Sequence, residues 1–221
     1  MLLGSAGVSL NVWAEARVGS LRVGERSYFL PFPDGFCDAT ESVFGIVTLS
    51  MLKKLYAKNT AIGKPKVIFR PCNAKEEKTF PWGFAGSFPK YKFINNQKSL
   101  NKFRRRLFED GKLTKDIARK YVNKNKDFMQ TYGFELGVSE LGKPSIIWDD
   151  DNLSITKLIT KARLNGLPYR ELMITATTVI NGRMINLVTY DEVGNFLNPK
   201  AYILDLAKNA ARFKSMNRFK P

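Results

Sequence analysis

The chain has 221 residues, 44% of them apolar and 12% aromatic, a composition that is typical of a folded protein and excludes a disordered one. It carries 36 Lys and Arg against 20 Asp and Glu, and it contains no histidine. The missing histidine excludes Ser-His-Asp and Cys-His catalysis, and two cysteines cannot complete a four-cysteine zinc site.

The N-terminal third predicts strands. Residues 8–18 alternate between apolar and polar side chains, which is typical of a half-buried strand. Gly19-Ser20 indicates a turn, and residues 21–30 predict a returning strand that is interrupted at Gly24-Glu25. Lys66–Arg70 predicts a short buried strand.

A helix is predicted between these strands. Asp38 and Glu41 have the spacing of a capping box. The apolar side of this helix is predicted to contain Val43, Ile46, Val47, Leu52 and Leu55.

Residues 80–106 form the most biased segment of the chain, because aromatic rings, Gly and Pro precede a run of cations. The Gly and Pro residues make the aromatic half unsuited to regular structure. Its rings fit either a hydrophobic core or a surface that stacks on nucleic-acid bases. Trp82 is the tryptophan best placed for stacking, and Tyr91 and Phe93 alternate with Lys90 and Lys92.

The middle of the chain predicts basic helices. Leu100, Phe103, Leu107 and Phe108 form the apolar side of the first, so at least two of the arginines 104–106 point outward. Residues 114–132 predict a second helix. Residues 115–134 also have a weak helix-turn-helix pattern, but one uninterrupted basic helix fits them as well or better.

The C-terminal third mixes helix and strand signals. Residues 145–148 follow a looser region, and Asp149–Asp151 fit a loop or helix start better than a Mg²⁺ site. Ser154 is predicted to cap a helix that ends at Gly166. Asn181-Gly182 predicts a β-hairpin, and Asn198-Pro199 predicts the start of a final helix with the apolar residues Ile203, Leu206, Ala210 and Phe213.

These elements predict an α+β fold of mixed antiparallel strands, with a basic helical segment in the middle and a C-terminal hairpin plus helix. Three regions are expected: a β-rich region 1–95 with one helix, a basic helical segment 96–135 and an α+β region 136–221. All three also fit one domain.

The positive charge is concentrated in two segments. Residues 90–130 have a net charge of +9 and residues 200–221 a net charge of +5, out of +16 for the whole chain. Clustering of this kind favours a binding face for a polyanion. The predicted nucleic-acid-binding residues are Trp82, Lys90, Tyr91, Lys92, Phe93, Lys102, Arg104, Arg105, Arg106, Lys112, Lys208, Arg212 and Lys214.

The sequence therefore predicts a non-enzymatic protein that binds DNA or RNA, as one subunit of a nucleoprotein assembly, with no metal or cofactor. Two alternatives stay open. One is a metal-dependent nuclease that uses Asp34 with Glu76, Glu77 and Lys78, and the other is an assembly protein that docks on a protein partner. Buried aromatic side chains and a scattered distribution of cations would favour the assembly protein.

The expected location is intracellular rather than secreted. The N-terminus lacks the features of a signal peptide, and no segment reaches the roughly 20 apolar residues of a membrane span. Two cysteines suit a reducing compartment, although a disulfide between them is left open.

Overall fold

The computed structural model describes residues 18–23, 25–56, 64–75, 80–88, 94–109, 136–164, 166–193 and 199–217. These residues contain ten strands and three helices. The strands are β1 (Val18–Val23), β2 (Arg26–Pro31), β3 (Phe36–Asp38), β4 (Lys64–Pro71), β5 (Trp82–Ser87), β6 (Leu136–Leu141), β7 (Ser145–Asp149), β8 (Ser154–Leu164), β9 (Leu167–Ile180) and β10 (Arg183–Glu192). The helices are α1 (Val43–Tyr56), α2 (Gln97–Glu109) and α3 (Pro199–Met216).

Eight strands form one antiparallel sheet in the order β3-β4-β5-β10-β9-β8-β6, and β7 also pairs with β8. β1 and β2 form a separate two-stranded hairpin. The predicted α+β class is confirmed. The sheet joins the first and third predicted regions, because β5 pairs with β10. The division into three regions stays a prediction.

Each face of the large sheet buries a different set of elements. On one face, α3 and the β1–β2 hairpin enclose the main core, in which Leu206 and Phe213 pack with residues of β9 and β10. On the other face, α1 contributes Leu52 to a cluster with Ile68 and Phe84, and α2 contributes Leu100 to a third cluster. The burial of Leu206, Ala210 and Phe213 confirms the predicted apolar side of α3.

The β9–β10 hairpin turns at the predicted Asn181-Gly182. Both residues have positive φ values, 51° for Asn181 and 68° for Gly182, as a two-residue type I′ turn requires. α3 begins at Pro199 as expected, and Asn198 lies outside the described residues. The predicted strand at Lys66–Arg70 is also confirmed, within β4.

Several predicted elements are wrong. Gly19 and Ser20 lie inside β1, where they pair with Leu30 and Phe29, and the chain reverses between Val23 and Arg26 instead. Residues 154–164 form a strand rather than a helix, because β8 pairs with β9 on one side and with β6 and β7 on the other. The region expected to be loose contains β6.

The aromatic segment is also more regular than predicted. Trp82–Ser87 forms β5, between β4 and β10. Gly83 is needed there, because a Cβ atom would lie 2.2 Å from the Phe69 ring and 2.4 Å from the Val188 carbonyl oxygen. Phe84 is fully buried, so this part of the segment belongs to the core.

The N-cap of α1 and the side of the helix that is buried both differ from the prediction. Ser42 is its N-cap, since its Oγ accepts a hydrogen bond from the Gly45 N–H at 3.0 Å. Asp38 instead accepts from the Thr40 N–H. Leu52 is buried as expected, the Leu55 side chain lies outside the described part, and Val43, Ile46 and Val47 are exposed.

Cys37 and Cys72 form a disulfide between β3 and the end of β4, which is the pairing that the sequence left open. Disulfides persist mainly in oxidising compartments. Location stays a prediction, and trapping of free thiols in intact cells would check it. Across the described ranges, no helix is long and apolar enough to cross a membrane.

Candidate nucleic-acid interface

α2 is positioned by its first turn. The Asn96 Oδ1 accepts hydrogen bonds from the Ser99 N–H at 2.8 Å and the Ser99 hydroxyl at 2.9 Å, so Asn96 caps the helix. The amide group of Gln97 then pairs with the backbone of β9 near the C-terminal end of that strand. Its Oε1 accepts from the Val179 N–H at 2.9 Å and its Nε2 donates to the Thr177 carbonyl at 3.4 Å. Gln97 therefore takes the place of a neighbouring strand before the first residue of β8, because Ser154 is the last residue of β8 that pairs in this direction, opposite Thr177.

The inward face of α2 continues with Leu100 and Arg104. Leu100 is 2% exposed. The Arg104 guanidinium donates to the Ser154 carbonyl at 3.3 Å and the Ser154 hydroxyl at 3.2 Å, and also to the Thr177 hydroxyl. The Thr177 hydroxyl in turn donates to the Asn186 Oδ1 at 2.8 Å. Arg104 is therefore part of a polar network between the helix and the sheet.

Burial lowers the pKa of Arg104 to about 10, and the nearby Asp149 carboxylate partly opposes that shift. The guanidinium is still protonated at neutral pH. The Arg104 side chain is half-buried and its guanidinium makes hydrogen bonds to the sheet, so a phosphate contact by Arg104 stays a prediction.

Arg105 is exposed but has a partner. Its Nε donates to the Asp149 Oδ2 at 2.8 Å, and its Nη2 lies 2.7 Å from the same oxygen. The Arg105 side chain is 62% exposed and the Asp149 side chain only 9%. The ion pair neutralises much of the positive charge that Arg105 brings to the surface.

The outward face of α2 carries the remaining cations. Lys98, Lys102 and Arg106 are exposed and follow one another at a spacing of four residues, about 6 Å along the helix axis. Phe103 is also 39% exposed, although the sequence placed it on the apolar side. It lies at the margin of that side, about 60° around the helix from Arg106.

The turn between β7 and β8 brings α3 to this part of the molecule. The Asp150 Oδ1 accepts from the N–H groups of Asn152 at 2.7 Å and Leu153 at 2.8 Å, and Trp148 donates to the other carboxylate oxygen. The Lys214 Nζ donates to the Asp151 carbonyl at 2.7 Å. The aspartates therefore form a turn rather than a helix start, and no group of metal-ligating side chains occurs in the described ranges.

The two cationic segments meet at an open cleft of about 420 Å³. It lies between the start of α2, the turn of the β9–β10 hairpin and the end of α3. Its lining residues are Asn95, Asn96, Gln97, Lys98, Asp151, Val179, Ile180, Asn181 and Lys214. We call Lys98, Lys102, Arg106 and Lys214 the cationic edge.

The other predicted site residues are dispersed. Lys208 and Arg212 are exposed on α3, but they lie about 120° and 160° around that helix from Lys214. Trp82 is half-buried. Its ring stacks on Tyr190 at 4.7 Å between centroids and meets the Phe44 ring edge-on at 6.1 Å. Lys90, Tyr91, Lys92, Phe93 and Lys112 lie outside the described residues, as do Glu76, Glu77, Lys78 and the helix predicted at 114–132.

Sequence reasoning missed the polar lining of the cleft. Asn95, Asn96 and Asn181 were not among the predicted site residues, and neither was Lys98. The paired asparagines before α2 and the four-residue spacing of its cations were the available signals. No local sequence pattern placed Asn181 or Lys214 beside the start of α2, because both residues come from elements more than 80 residues away.

No protein-family model matches the chain, and no curated protein matches it. Among solved structures, the chain is similar to cyanobacterial PsbP (CyanoP) from Synechocystis, with a TM-score of 0.41, 11% identity and coverage of 94% of this chain and 96% of that one. It is also similar to the Ran-binding protein Mog1p from Saccharomyces cerevisiae, with a TM-score of 0.34, 8% identity and coverage of 90% and 91%. Both likenesses are too distant to bear on what this chain binds.

Proposed function

We propose that the protein binds nucleic acid without catalysing a reaction, and that the cationic edge supplies its phosphate contacts. The observation that carries the proposal is the meeting of α2 and the end of α3 at one cleft. The two segments with the highest net charge in the sequence thereby contribute Lys98 and Lys214 to the same opening.

The chemistry of the edge suits a phosphate backbone. Lysine and arginine side chains neutralise phosphates, and amide groups such as those of Asn95 and Asn181 can donate hydrogen bonds to phosphate oxygens. Within α2, Glu109 is the one acidic residue against five cations. Contacts of this kind bind many sequences alike, so the proposed binding is sequence-tolerant.

Base stacking is the second part of the proposal. The packing of Trp82 against Tyr190 and Phe44 leaves it a poor stacking platform. Phe103 is better placed among the described aromatics, since it is partly exposed beside the cationic edge. Tyr91 and Phe93 stay predicted stacking residues. A stacking contribution would favour single strands, whose bases are accessible.

The test is a salt titration of binding to single- and double-stranded DNA and RNA. In one variant, Lys98, Lys102 and Arg106 are changed to Gln. If all three contact phosphate, the slope of log affinity against log salt should flatten by about 2.1 on single strands and about 2.7 on B-form DNA. A matched control changes Lys64, Lys66 and Lys75 to Gln. These exposed lysines lie on or after β4, toward the opposite end of the sheet, and the slope should stay unchanged.

Two further variants separate the roles within α2. Phe103→Ala should leave the salt slope intact and weaken single-strand binding by about 1–3 kcal/mol. Arg104→Met should destabilise the fold, because the network at Ser154 and Thr177 loses its donor. If the cationic-edge and control variants behave alike, the edge does not bind phosphate and the proposal is wrong. Cleavage of the probe with added Mg²⁺ would favour the nuclease alternative.

A further inference from the structure

α1 has an apolar stripe on its outer surface. Val43, Ile46 and Val47 are 72%, 59% and 52% exposed, and they follow the i, i+3, i+4 spacing by which one helix packs on another. We call these three residues the outer stripe. Single apolar side chains are common on protein surfaces, but a group of exposed aliphatic side chains on neighbouring positions is typical of an interaction surface.

The contacts on the opposite side of α1 fix this orientation. At Gly45 a Cβ atom would lie 1.8 Å from the Ala39 carbonyl oxygen, so the helix backbone rests directly on the preceding segment. Phe44 packs beneath the Arg70 guanidinium at 4.2 Å, and Leu52 is 7% exposed. A rotation that buried the outer stripe would break all of these contacts.

We propose that the outer stripe pairs with the same stripe of a second copy of this chain, with the two α1 helices antiparallel about a two-fold axis near Ile46 and Val47. The charges flanking the stripe support this arrangement. Glu41 lies just before the helix, and Lys53 and Lys54 lie in its last turn. All three are exposed.

Antiparallel pairing about this axis places the acidic end of each helix over the basic end of the other. Ile46 then faces Val47 of the second copy, and Glu41 comes within one residue of the position opposite Lys53. The helix dipoles are also antiparallel, which is the favourable arrangement. Parallel pairing would instead set Lys53 and Lys54 of both copies side by side. A two-fold contact uses the same patch on both molecules, as this self-complementary stripe requires.

The net charge of +16 on each copy opposes this association at long range and outweighs the attraction between the few flanking charges, which salt also screens. Salt screens that repulsion, with a Debye length of about 8 Å at physiological ionic strength. Burial of the outer stripe is an apolar contribution that salt does not weaken. Self-association through this surface should therefore strengthen as salt is added, the opposite of the trend expected for binding to an acidic partner or to nucleic acid.

Disulfide trapping tests the geometry directly. Cys37 and Cys72 are the two cysteines of the chain and are bonded to each other, so an introduced cysteine is the sole added thiol. Val47→Cys lies beside the axis and should form an intermolecular disulfide under mild oxidation. Val43→Cys should not, because the two copies of residue 43 would lie about 10 Å apart along the helices and a disulfide needs Cβ atoms about 4 Å apart.

Sedimentation equilibrium at low and high salt supplies the second test. The wild type should dimerise more strongly at high salt. Ile46→Glu should weaken dimerisation by about 100-fold or more, because the dimer would bury an unpaired carboxylate from each copy. Leu167→Glu is the matched control, since Leu167 is an aliphatic residue on β9 that is also exposed, at 71%, and dimerisation of this variant should equal that of the wild type. A monomeric wild type, an unaffected Ile46→Glu variant, or cross-linking of both cysteine variants would overturn the antiparallel dimer.

Discussion

Replacement of Phe213 by alanine tests whether α3 is an integral part of the fold or a basic tail. Phe213 is 2% exposed and lies on α3 among core residues, with its ring stacked 6.3 Å from the Tyr28 ring. The next turn is tied to β2. The Asn217 Nδ2 donates to the Phe29 carbonyl at 2.8 Å, and the Asn217 Oδ1 accepts from the Phe29 N–H at 2.8 Å.

The size of the effect follows from this burial. A buried aromatic side chain removes about 150–250 Å² from water, which at about 25 cal/mol per Å² corresponds to about 4–6 kcal/mol. Alanine keeps the β-carbon, and the neighbours relax partly into the cavity. The expected loss of unfolding free energy is therefore about 3–5 kcal/mol, in line with Phe→Ala changes in other cores. In a chain of this size the midpoint temperature should fall by about 6–20 °C.

Urea unfolding followed by circular dichroism measures this loss. Phe29→Ala is the matched control, because Phe29 lies on β2 beside Asn217 but is 56% exposed. That variant should lose less than about 1 kcal/mol. If Phe213→Ala and Phe29→Ala have the same small effect, α3 does not pack on the sheet. The placement of Lys214 at the cleft, which depends on that packing, is then wrong.

Two further changes probe the stability of the fold. Replacement of both Cys37 and Cys72 by serine removes a cross-link between residues 35 positions apart, and should lower the unfolding free energy by about 3–4 kcal/mol; an unchanged denaturation midpoint would contradict this. Burial raises the pKa of Asp191 above its ordinary value of 3.8. The unfolded chain therefore loses the Asp191 proton at a lower pH than the folded chain does. The free energy of unfolding consequently falls as the pH rises from the pKa of the unfolded state to that of the folded state. Asp191→Asn should remove this pH-dependent loss of stability and so stabilise the protein at neutral pH relative to acid pH. Unfolding titrations across the acid range would measure the effect. An unaltered pH profile would rule out a role for this carboxyl group.

The proposed interface was only partly visible in the sequence. The basic character of α2 followed from its composition, and the exposed positions of Arg105 and Arg106 agree with the expectation that at least two of the arginines 104–106 point outward. Composition could not show that Arg104 contacts the sheet while the neighbouring cations are exposed. Its partners Ser154 and Thr177 lie 50 and 73 residues further along the chain, and only their position under α2 makes Arg104 part of the fold.

Elements whose signals are local could be predicted from the sequence alone. The hairpin at Asn181-Gly182 was predictable because its turn needs positive φ values that few residues adopt, and α3 was predictable from Pro199 and the helical spacing of Leu206, Ala210 and Phe213. Each of these signals acts within a few residues.

Where a local pattern fits both helix and strand, contacts with distant parts of the chain selected one of them. The apolar residues of 154–164 fit a helix, yet strands on both sides of β8 satisfy its backbone hydrogen bonds and hold it extended. The same dependence on distant partners made the Gly/Pro-broken aromatic segment a strand between β4 and β10. It also left the outer stripe of α1 exposed, because the packing of Gly45 and Phe44 fixed which side of that helix meets the sheet. Helical periodicity shows that a helix has an apolar side, but the shape of the surface beneath decides which side is buried.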